Sequence, residues 1–337
     1  MPSDVSIHEL ELTPAAAQVP IKPAMAQVEP SIAVLIPCYN EALTVERVVH
    51  AFRAALPKAT IYVYDNNSTD GTADIARRAG AVVRRENRQG KGYVIQSMFR
   101  DIDADFYVMA DGDGTYPADQ VDLLLAPLRQ GDADMVVGNR LKQFTDQSFR
   151  PLHVLGNKLV VGTINLLFQA KMKDVMSGYR AFSRRFVLEV PFVSRGFEVE
   201  TEMTLQALDR RLPIAEVEIP YGSRPEGSHS KLNTFSDGFR VLLKLFNILK
   251  AYRPFLFFGG LGFLVCLLGL IFGIVPIAEY FRTGLVTHFP TAILAASIVI
   301  VGIVLMIAGI ILDSLNQHFR ELASQVIKMS IRPPYWA

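Results

Sequence analysis

The sequence is short of cysteine, of tryptophan and of net charge. Its two thiols, Cys38 and Cys266, sit at the end of one apolar run and inside another, so no disulfide framework is expected and a reducing compartment fits. Lys and Arg number 34 against 33 Asp and Glu, a balance that gives no global pull towards nucleic acid. No cluster of His and Cys has the spacing of a zinc site, and no Ser-His-Asp arrangement stands out. Residues 1–30 lack the basic n-region and apolar h-region of a secretory signal. Rich in Ala and Pro, with Asp4, Glu9 and Glu11 scattered through them, they read as a mobile tail. No internal repeat is visible.

Apolar residues, by contrast, are plentiful. Half of the 337 residues are hydrophobic and the mean hydropathy is +0.25. This length allows two domains, or one domain with an appendage. From residue 32 the chain alternates short β-branched runs with helical patterns. Residues 32–36 and 106–110 read as buried strands, 61–64, 81–83 and 135–137 as further strands and 214–220 as an edge strand, with helices over 44–55, 72–79, from 92 to about 102, and 149–168. This alternation predicts an α/β, Rossmann-like, mostly parallel sheet with helices on both faces. Ligands of such sheets bind at the carboxyl ends of the strands. The polar clusters Tyr39-Asn40-Glu41, Asp65-Asn66-Asn67 and Asp111-Gly112-Asp113 all fall there.

The C-terminal third changes character. From 235 to 252, Phe239, Leu242, Leu243, Phe246 and Leu249 recur at helical spacing with Arg240, Lys244 and Lys250 between them. That is the pattern of a helix lying in a membrane interface, or of one packed on the preceding domain. Residues 255–277 and 291–312 contain no charged side chain, and each reaches the ~20 apolar residues that cross a bilayer. Arg240, Lys244, Lys250 and Arg253 precede the first span; Arg320, Lys328 and Arg332 follow the second; Arg282 is the only basic residue between them. The positive-inside rule then puts both termini and the α/β domain in the cytoplasm. The expected organisation is a tail (1–30), an α/β domain (31–234), an interfacial amphipathic helix (235–253), a two-helix transmembrane hairpin (254–313) and a cytoplasmic amphipathic tail (314–337).

Several residues in this frame can carry chemistry. An apolar strand that stops at Asp111 and Asp113 suits Mg²⁺ or Mn²⁺, which take oxygen ligands from one or two carboxylates and from substrate phosphates. A solvated Gly-rich turn would read the same way. Glu41 and Asp65 suit sugar hydroxyls or base N–H groups, although Glu41 equally complements a helix N-terminus. Lys91, between two glycines, either meets a diphosphate or is a solvated turn residue. Arg140, Arg180, Arg224 and Lys231 suit phosphate as a group, while each alone reads as a surface charge. Of Glu198, Glu200 and Glu202, only part can face a cleft, and a solvated helix start is the alternative. His153 and Asn157 share a helix face at i, i+4.

Together the stretches Ile36-Pro37-Cys38-Tyr39-Asn40-Glu41, Asp65-Asn66-Asn67-Ser68-Thr69-Asp70-Gly71, Gly90-Lys91-Gly92 and Asp111-Gly112-Asp113 resemble the family 2 glycosyltransferases of the GT-A fold. Gly138-Asn139-Arg140, Ser177-Gly178-Tyr179-Arg180, Arg224-Pro225-Glu226-Gly227 and Ser230-Lys231-Leu232 narrow the resemblance to the polyprenyl-phosphate sugar synthases, which include the dolichyl-phosphate mannose synthases. The resemblance implies that Pro37, Tyr39, Glu41 and Asp65 hold the nucleoside, with Asn67, Lys91 and Gly112 also on the nucleotide-sugar side. It implies that Asp111 and Asp113 hold a Mg²⁺ or Mn²⁺ ion and the diphosphate. Asp113, Arg140, Arg224 and Lys231 would be catalytic. Arg140, His153, Asn157, Ser177, Arg180 and Ser230 would lie towards the acceptor phosphate. Thr115 stands where mannose synthases often carry a Gln of the metal shell, which favours a UDP-sugar over a GDP-sugar.

The implied reaction is inverting transfer of a hexose or N-acetylhexosamine from a nucleotide-diphosphate sugar to polyprenyl or dolichyl phosphate at the cytoplasmic membrane. The implied partners are the donor, the lipid phosphate and the bilayer, with no nucleic acid and a homo-oligomer left open. A processive polysaccharide synthase would carry Gln-x-x-Arg-Trp, whereas Trp336 is the one tryptophan and lies in Pro-Pro-Tyr-Trp. Transfer to another lipid head group and a GDP-mannose-using synthase remain alternatives. So does an inactive membrane scaffold, against which the intact Asp111, Asp113, Arg140 and Arg224 argue.

Overall fold

Strand β1 (Ile32–Cys38) is coated on both faces. Val34 and Ile36 point into one apolar layer and Ala33 and Leu35 into the other, all of them buried. Successive side chains of a strand face opposite ways, so a strand covered by helices on both sides must be apolar at every position. The computed structural model describes residues 29–140, 151–191, 199–220 and 246–330, with the backbone alone at 151–158, 323–324 and 326–330.

Six further strands join β1: β2 (Thr60–Asp65), β3 (Val82–Arg85), β4 (Phe106–Met109), β5 (Met135–Asn139), β6 (Arg180–Ser183) and β7 (Ile214–Glu218). Their order across the sheet is β3-β2-β1-β4-β6-β5-β7. The pairs β1–β2, β1–β4, β2–β3 and β5–β7 are parallel. Only β6 is reversed, antiparallel to both β4 and β5. Between the strands run α1 (Val45–Ala55), α2 (Thr72–Arg78), α3 (Lys91–Asp101), α4 (Val121–Gln130), α5 (Pro151–Phe168), α6 (Arg184–Glu189) and α7 (Val199–Asp209). Val48, Phe52, Ala76 and Leu124 bring α1, α2 and α4 onto the Val34 face. Ile95, Ile164, Phe186 and Met203 bring α3, α5, α6 and α7 onto the opposite face. The mostly parallel sheet with helices on both faces is thus the observed fold.

The register aligns Met109, Arg180 and Val137 across three strands. The chain leaving β4, the chain entering β6 and the chain leaving β5 therefore share one edge of the sheet, which is where a ligand of a parallel sheet binds. The sequence pattern does not predict β6, α4 or α6. Strand β6 is four residues long and opens on an arginine, so hydropathy hides it. Pro127 interrupts the helical pattern of α4.

Arg180 is fully buried. Its Nε donates to Ser177 O at 2.8 Å, Nη2 to Val175 O at 2.8 Å and Nη1 to Thr204 Oγ1 at 2.9 Å. Burial pulls its pKa down to about 10, with Glu200 and Asp174 acting against the shift. A buried cation is tolerated only when its donors are met, and here backbone carbonyls and a threonine meet them.

A hairpin of two apolar helices follows. A π turn at Phe255–Gly259 leads into α8 (Gly260–Thr283), and α9 runs unbroken over Phe289–Ser330, so residues 314–330 continue the second apolar helix. The helices approach so closely that a Cβ on Gly302 would stand 2.5 Å from Cys266 Sγ and 2.7 Å from Gly262 O. The stretches Phe255–Thr283 and Phe289–Leu322 are long and apolar enough to cross a membrane, with mean hydropathies of 2.7 and 2.9, and most of their length is uncovered by protein. A core helix of a soluble protein would be buried; these are not. Residues 246–252 are helical, and Ile248 is buried among the residues of the α3–α7 side. The described end of the segment expected at the interface thus packs on the α/β domain.

Replacing Arg180 with alanine should cost roughly 3–5 kcal/mol, from the cavity and from buried acceptors left unpaired. Thermal unfolding in detergent would register this as a clear loss of stability, whereas a wild-type melting profile would refute the framework role.

Candidate active site

Asp111 and Asp113 follow β4 directly, in a turn fastened on every side. Thr115 donates to Asp113 Oδ1 from its backbone N at 3.1 Å and from its Oγ1 at 2.7 Å. Thr44 Oγ1, at the start of α1, donates to Gly112 O at 2.6 Å. Gly178, just before β6, lies so close that a Cβ there would sit 2.6 Å from Asp111 Oδ2. Lys91, the first residue of α3, reaches in from the third side, with Nζ 2.5 Å from Asp111 Oδ1 and 2.6 Å from Glu200 Oε1.

Lys91 is largely buried, and burial disfavours its charge. The Asp111 and Glu200 carboxylates more than offset that, so its pKa is raised and the ammonium stays charged. The same crowd of acids acts on Cys38. Burial first, then the charges of Glu41, Asp65 and Asp111, push its thiol well above the usual range. Cys38 is a neutral packing residue and not a nucleophile.

The loops after β1 and β2 are stapled into one rim. Asn40 N donates to Ser68 Oγ, Thr69 N to Asn40 Oδ1 and Glu41 N to Thr72 Oγ1, each at 2.9 Å. Ala42 N donates to Asp70 Oδ2 at 3.0 Å. Asp65 is buried and accepts from Ser68 N; it lines a polar cleft of about 480 Å³ with Ser68, Thr69, Asp74 and Arg85. Pro37 is half-buried, Tyr39 exposed and Glu41 half-buried along this rim. Buried Asn66 ties the rim to the next loop: Nδ2 donates to Glu86 O and Arg88 O, and Oδ1 accepts from Gly90 N at 2.7 Å. Asn66 thereby places Lys91, one residue further on. Asn67 was expected on the nucleotide side, but its amide is engaged with Asn87 O, Gln89 Oε1 and Arg85 Nη2, so it too ties loops together.

Arg140, just after β5, donates from Nε to Asp174 Oδ2 at 2.9 Å. Asp174 is fully buried and also accepts from Met176 N, so the guanidinium is aimed by a fixed carboxylate. Two expectations are corrected. Arg180 does not reach an acceptor phosphate, because it is enclosed in the sheet with its donors satisfied by Ser177 O, Val175 O and Thr204. Ser177 is buried as well, its hydroxyl accepting from Tyr179 N. Glu200 settles the question left open by the alternating acids. It is buried against Lys91 rather than solvated, whereas Glu202 is half-buried. His153 and Asn157 lie on α5 where the backbone alone is described, and Arg224, Ser230, Lys231 and Glu198 lie outside the described residues.

Sequence reasoning left Asp174, Asn66 and Thr115 without these roles. Asn66 adjoins Asp65 in a recognised cluster and Thr115 follows Asp113 by two residues, so proximity to a motif was the available signal. Asp174 had none, because its partner Arg140 is 34 residues away.

The donor set fits a hard divalent cation. Asp111 and Asp113 present carboxylate oxygens from one turn, the arrangement that Mg²⁺ or Mn²⁺ completes with substrate phosphate oxygens and water. Among the described residues no group of three or more His, Cys, Asp or Glu side chains is placed to hold a metal.

The profile of the family described as Glycosyl transferase family 2 matches residues 33–190. Glycosyltransferase AglJ of Haloferax volcanii is 31% identical over 297 residues, covering 88% of this chain and 97% of that protein. The dolichyl-phosphate hexose transferase of the same organism is 28% identical over 207 residues, 61% of this chain and 89% of that one. Among solved structures, Mycobacterium tuberculosis glucosyl-3-phosphoglycerate synthase, crystallised with Mn²⁺ and uridine-diphosphate-glucose, superposes with a TM-score of 0.53 at 23% identity, covering 66% of this chain and 79% of that one. That last likeness is one of fold.

Gly178→Ala tests the geometry of the turn. The added methyl must displace the Asp111 carboxylate, so affinity for Mn²⁺ in the presence of a nucleoside diphosphate should fall and turnover should drop by about 100-fold, with thermal stability nearly kept. Unchanged Mn²⁺ affinity would show that Asp111 is not held as described.

Proposed function

This chain belongs to glycosyl transferase family 2, and we propose that it transfers a sugar from a nucleotide-diphosphate sugar to the phosphate of a membrane-embedded polyprenol. The observation that carries this reading is that a carboxylate turn at the carboxyl edge of the sheet sits on a domain that Arg320, on the continuation of the second of two apolar helices long enough to cross a bilayer, contacts directly. The Haloferax relative named for dolichyl-phosphate hexose transfer supports a lipid phosphate as acceptor. The fold neighbour crystallised with Mn²⁺ and uridine-diphosphate-glucose motivates UDP-sugars as the first donors to try.

In the proposed reaction an oxygen of the lipid phosphate attacks C1 of the donor sugar. The new O–C1 bond forms as the bond from C1 to the diphosphate oxygen breaks, and the electron pair leaves with the nucleoside diphosphate. The configuration at C1 inverts. A phosphate monoester has its second pKa near ~6, so the nucleophile is already ionised and no general base is called for. A divalent ion held by Asp111, Asp113 and the diphosphate would supply charge neutralisation at the leaving group. The rim built from Pro37, Tyr39, Glu41 and Asp65 orients the nucleoside. Lys91 presents an ammonium beside Asp111, and Arg140, fixed by Asp174, presents a planar donor to a second anion. Arg224, Ser230 and Lys231 are assigned to the reaction centre by their motifs. The excess of basic residues flanking the hairpin supports a cytoplasmic site, where nucleotide sugars are made.

The test uses purified protein in detergent with Mn²⁺ or Mg²⁺, a short polyprenyl phosphate and a panel of UDP- and GDP-sugars, with products followed by mass spectrometry. One donor should yield a lipid-phosphate-sugar, Asp113→Ala should abolish it, and Arg140→Ala should reduce it by about 100-fold, the usual cost of removing one charge-stabilising donor. Donor and metal binding without any lipid product would overturn the acceptor assignment.

A further inference from the structure

The second apolar helix does not end where a membrane would. Its 42 residues make it about 63 Å long at 1.5 Å per residue, roughly twice a ~30 Å hydrocarbon core. Asp313 is its first charged side chain, and beyond it α9 runs beside the α/β domain. There Arg320 Nη1 stands 2.8 Å from Asp209 Oδ1. Asn316 Nδ2 donates to Ala251 O at 2.9 Å. Arg253, at the head of the hairpin, donates from Nη2 to Leu167 O at 3.2 Å and lays its guanidinium over the Phe168 ring, 5.2 Å from the centroid. Four elements meet here: α5, α7, the helical stretch 246–252 and α9.

Asp209 is the member that α7 alone does not explain. It is the last residue of that helix, where the macrodipole and the terminal carbonyls disfavour a carboxylate. Burial disfavours its charge further, with Arg320 first among the cations acting against burial. The partner from α9 is held in place in turn, because Arg320 Nε donates to Asn316 O at 3.2 Å. At its other end, α7 carries Glu200, which grips Lys91 and through it Asp111. About 14 Å of buried helix therefore connects the membrane hairpin to the carboxylate turn.

We propose that Asp209 and Arg320 are positioning residues that lock the α/β domain onto the membrane hairpin and so set the height of the active-site cleft above the bilayer. α7 transmits that placement to Lys91 and the Asp111 turn. The consequence for catalysis rests on the lipid-phosphate reading above; the lock itself does not. A cleft at a fixed height meets a phosphate whose depth the bilayer fixes, and a domain swinging on a flexible linker would meet it only in a fraction of its orientations.

The experiment compares wild type, Asp209→Arg, Arg320→Asp and the double charge exchange as full-length proteins in vesicles. Domain placement is read by energy transfer from a dye on Leu123→Cys, an exposed position on α4, to labelled lipid headgroups, in a Cys266→Ser background. Each single reversal should broaden or shift the transfer efficiency, and the exchange should restore it. Kinetics give the second readout. Single reversals should keep donor affinity and transfer to a short, water-soluble isoprenyl phosphate, but lose about tenfold or more in kcat/KM with a long polyprenyl phosphate in the vesicle; the exchange should recover most of the loss. Unchanged energy transfer in the single variants, or equal losses with both acceptors, would overturn the lock. Altered energy transfer restored by the exchange, in a protein that transfers to neither acceptor, would uphold the lock and defeat the lipid-phosphate reading alone.

Discussion

Lys91 is the contact on which the carboxyl edge of the sheet depends. Glu41, Asp65, Asp111, Asp113 and Glu200 gather there, and like charges at short range repel by several kcal/mol unless a cation stands among them. The ammonium touches two of the five, Asp111 from β4 and Glu200 from α7. A buried ion pair adds little net stability, because desolvation cancels most of the attraction. What it contributes is placement: it joins the start of α3, the end of β4 and the start of α7 at one point. Asn66 and the Gly90 amide carry that placement back to β2, so a shift of any one loop is felt at the Asp111 turn.

The reversal of β6 supplies the other half of the site. A strand running against its neighbours brings its entry, not its exit, to the carboxyl edge, and so delivers Gly178 beside Asp111. The segment leading into it supplies Asp174 to aim Arg140 from β5. Buried Arg180 holds this entry together from within by donating to Val175 O and Ser177 O. An arginine in a serine-glycine-tyrosine-arginine motif thus works as a clamp on the loop and not as a phosphate ligand. Its motif neighbour Gly178 makes the close approach to the carboxylate possible.

How far the sequence reveals this structure follows from the range of each interaction. Buried parallel strands announce themselves as apolar runs, so β1, β2, β4 and β5 were legible, and so were the polar clusters at their ends. The hairpin was legible because crossing a bilayer demands about 20 apolar residues in a row. Strand β6 was not, because an arginine opens a four-residue strand and its burial is justified only by carbonyls and a threonine that the fold brings to it. Glu200 looked the same as Glu202 in sequence. Only the contact of α7 with Lys91 at the start of α3 separates the buried one from the half-buried one. Asp174 and Arg140 likewise find each other through the sheet, with no local pattern to link them.

On the proposed reading the chemistry must bring an anionic donor from water to an anionic acceptor held in the membrane. No single cation can serve both, because a charge that neutralises the leaving diphosphate is committed to it throughout the reaction. The chain answers with two separate seats, on strands that flank a third. The β4 turn offers carboxylates, suited to a divalent ion and the diphosphate that binds it. The end of β5 offers an arginine held by a buried aspartate, suited to an anion that arrives without a metal. Strand β6 lies between them, and Gly178, just before it, closes on Asp111. The antiparallel strand that hydropathy conceals is therefore what separates the two anion seats in the sheet.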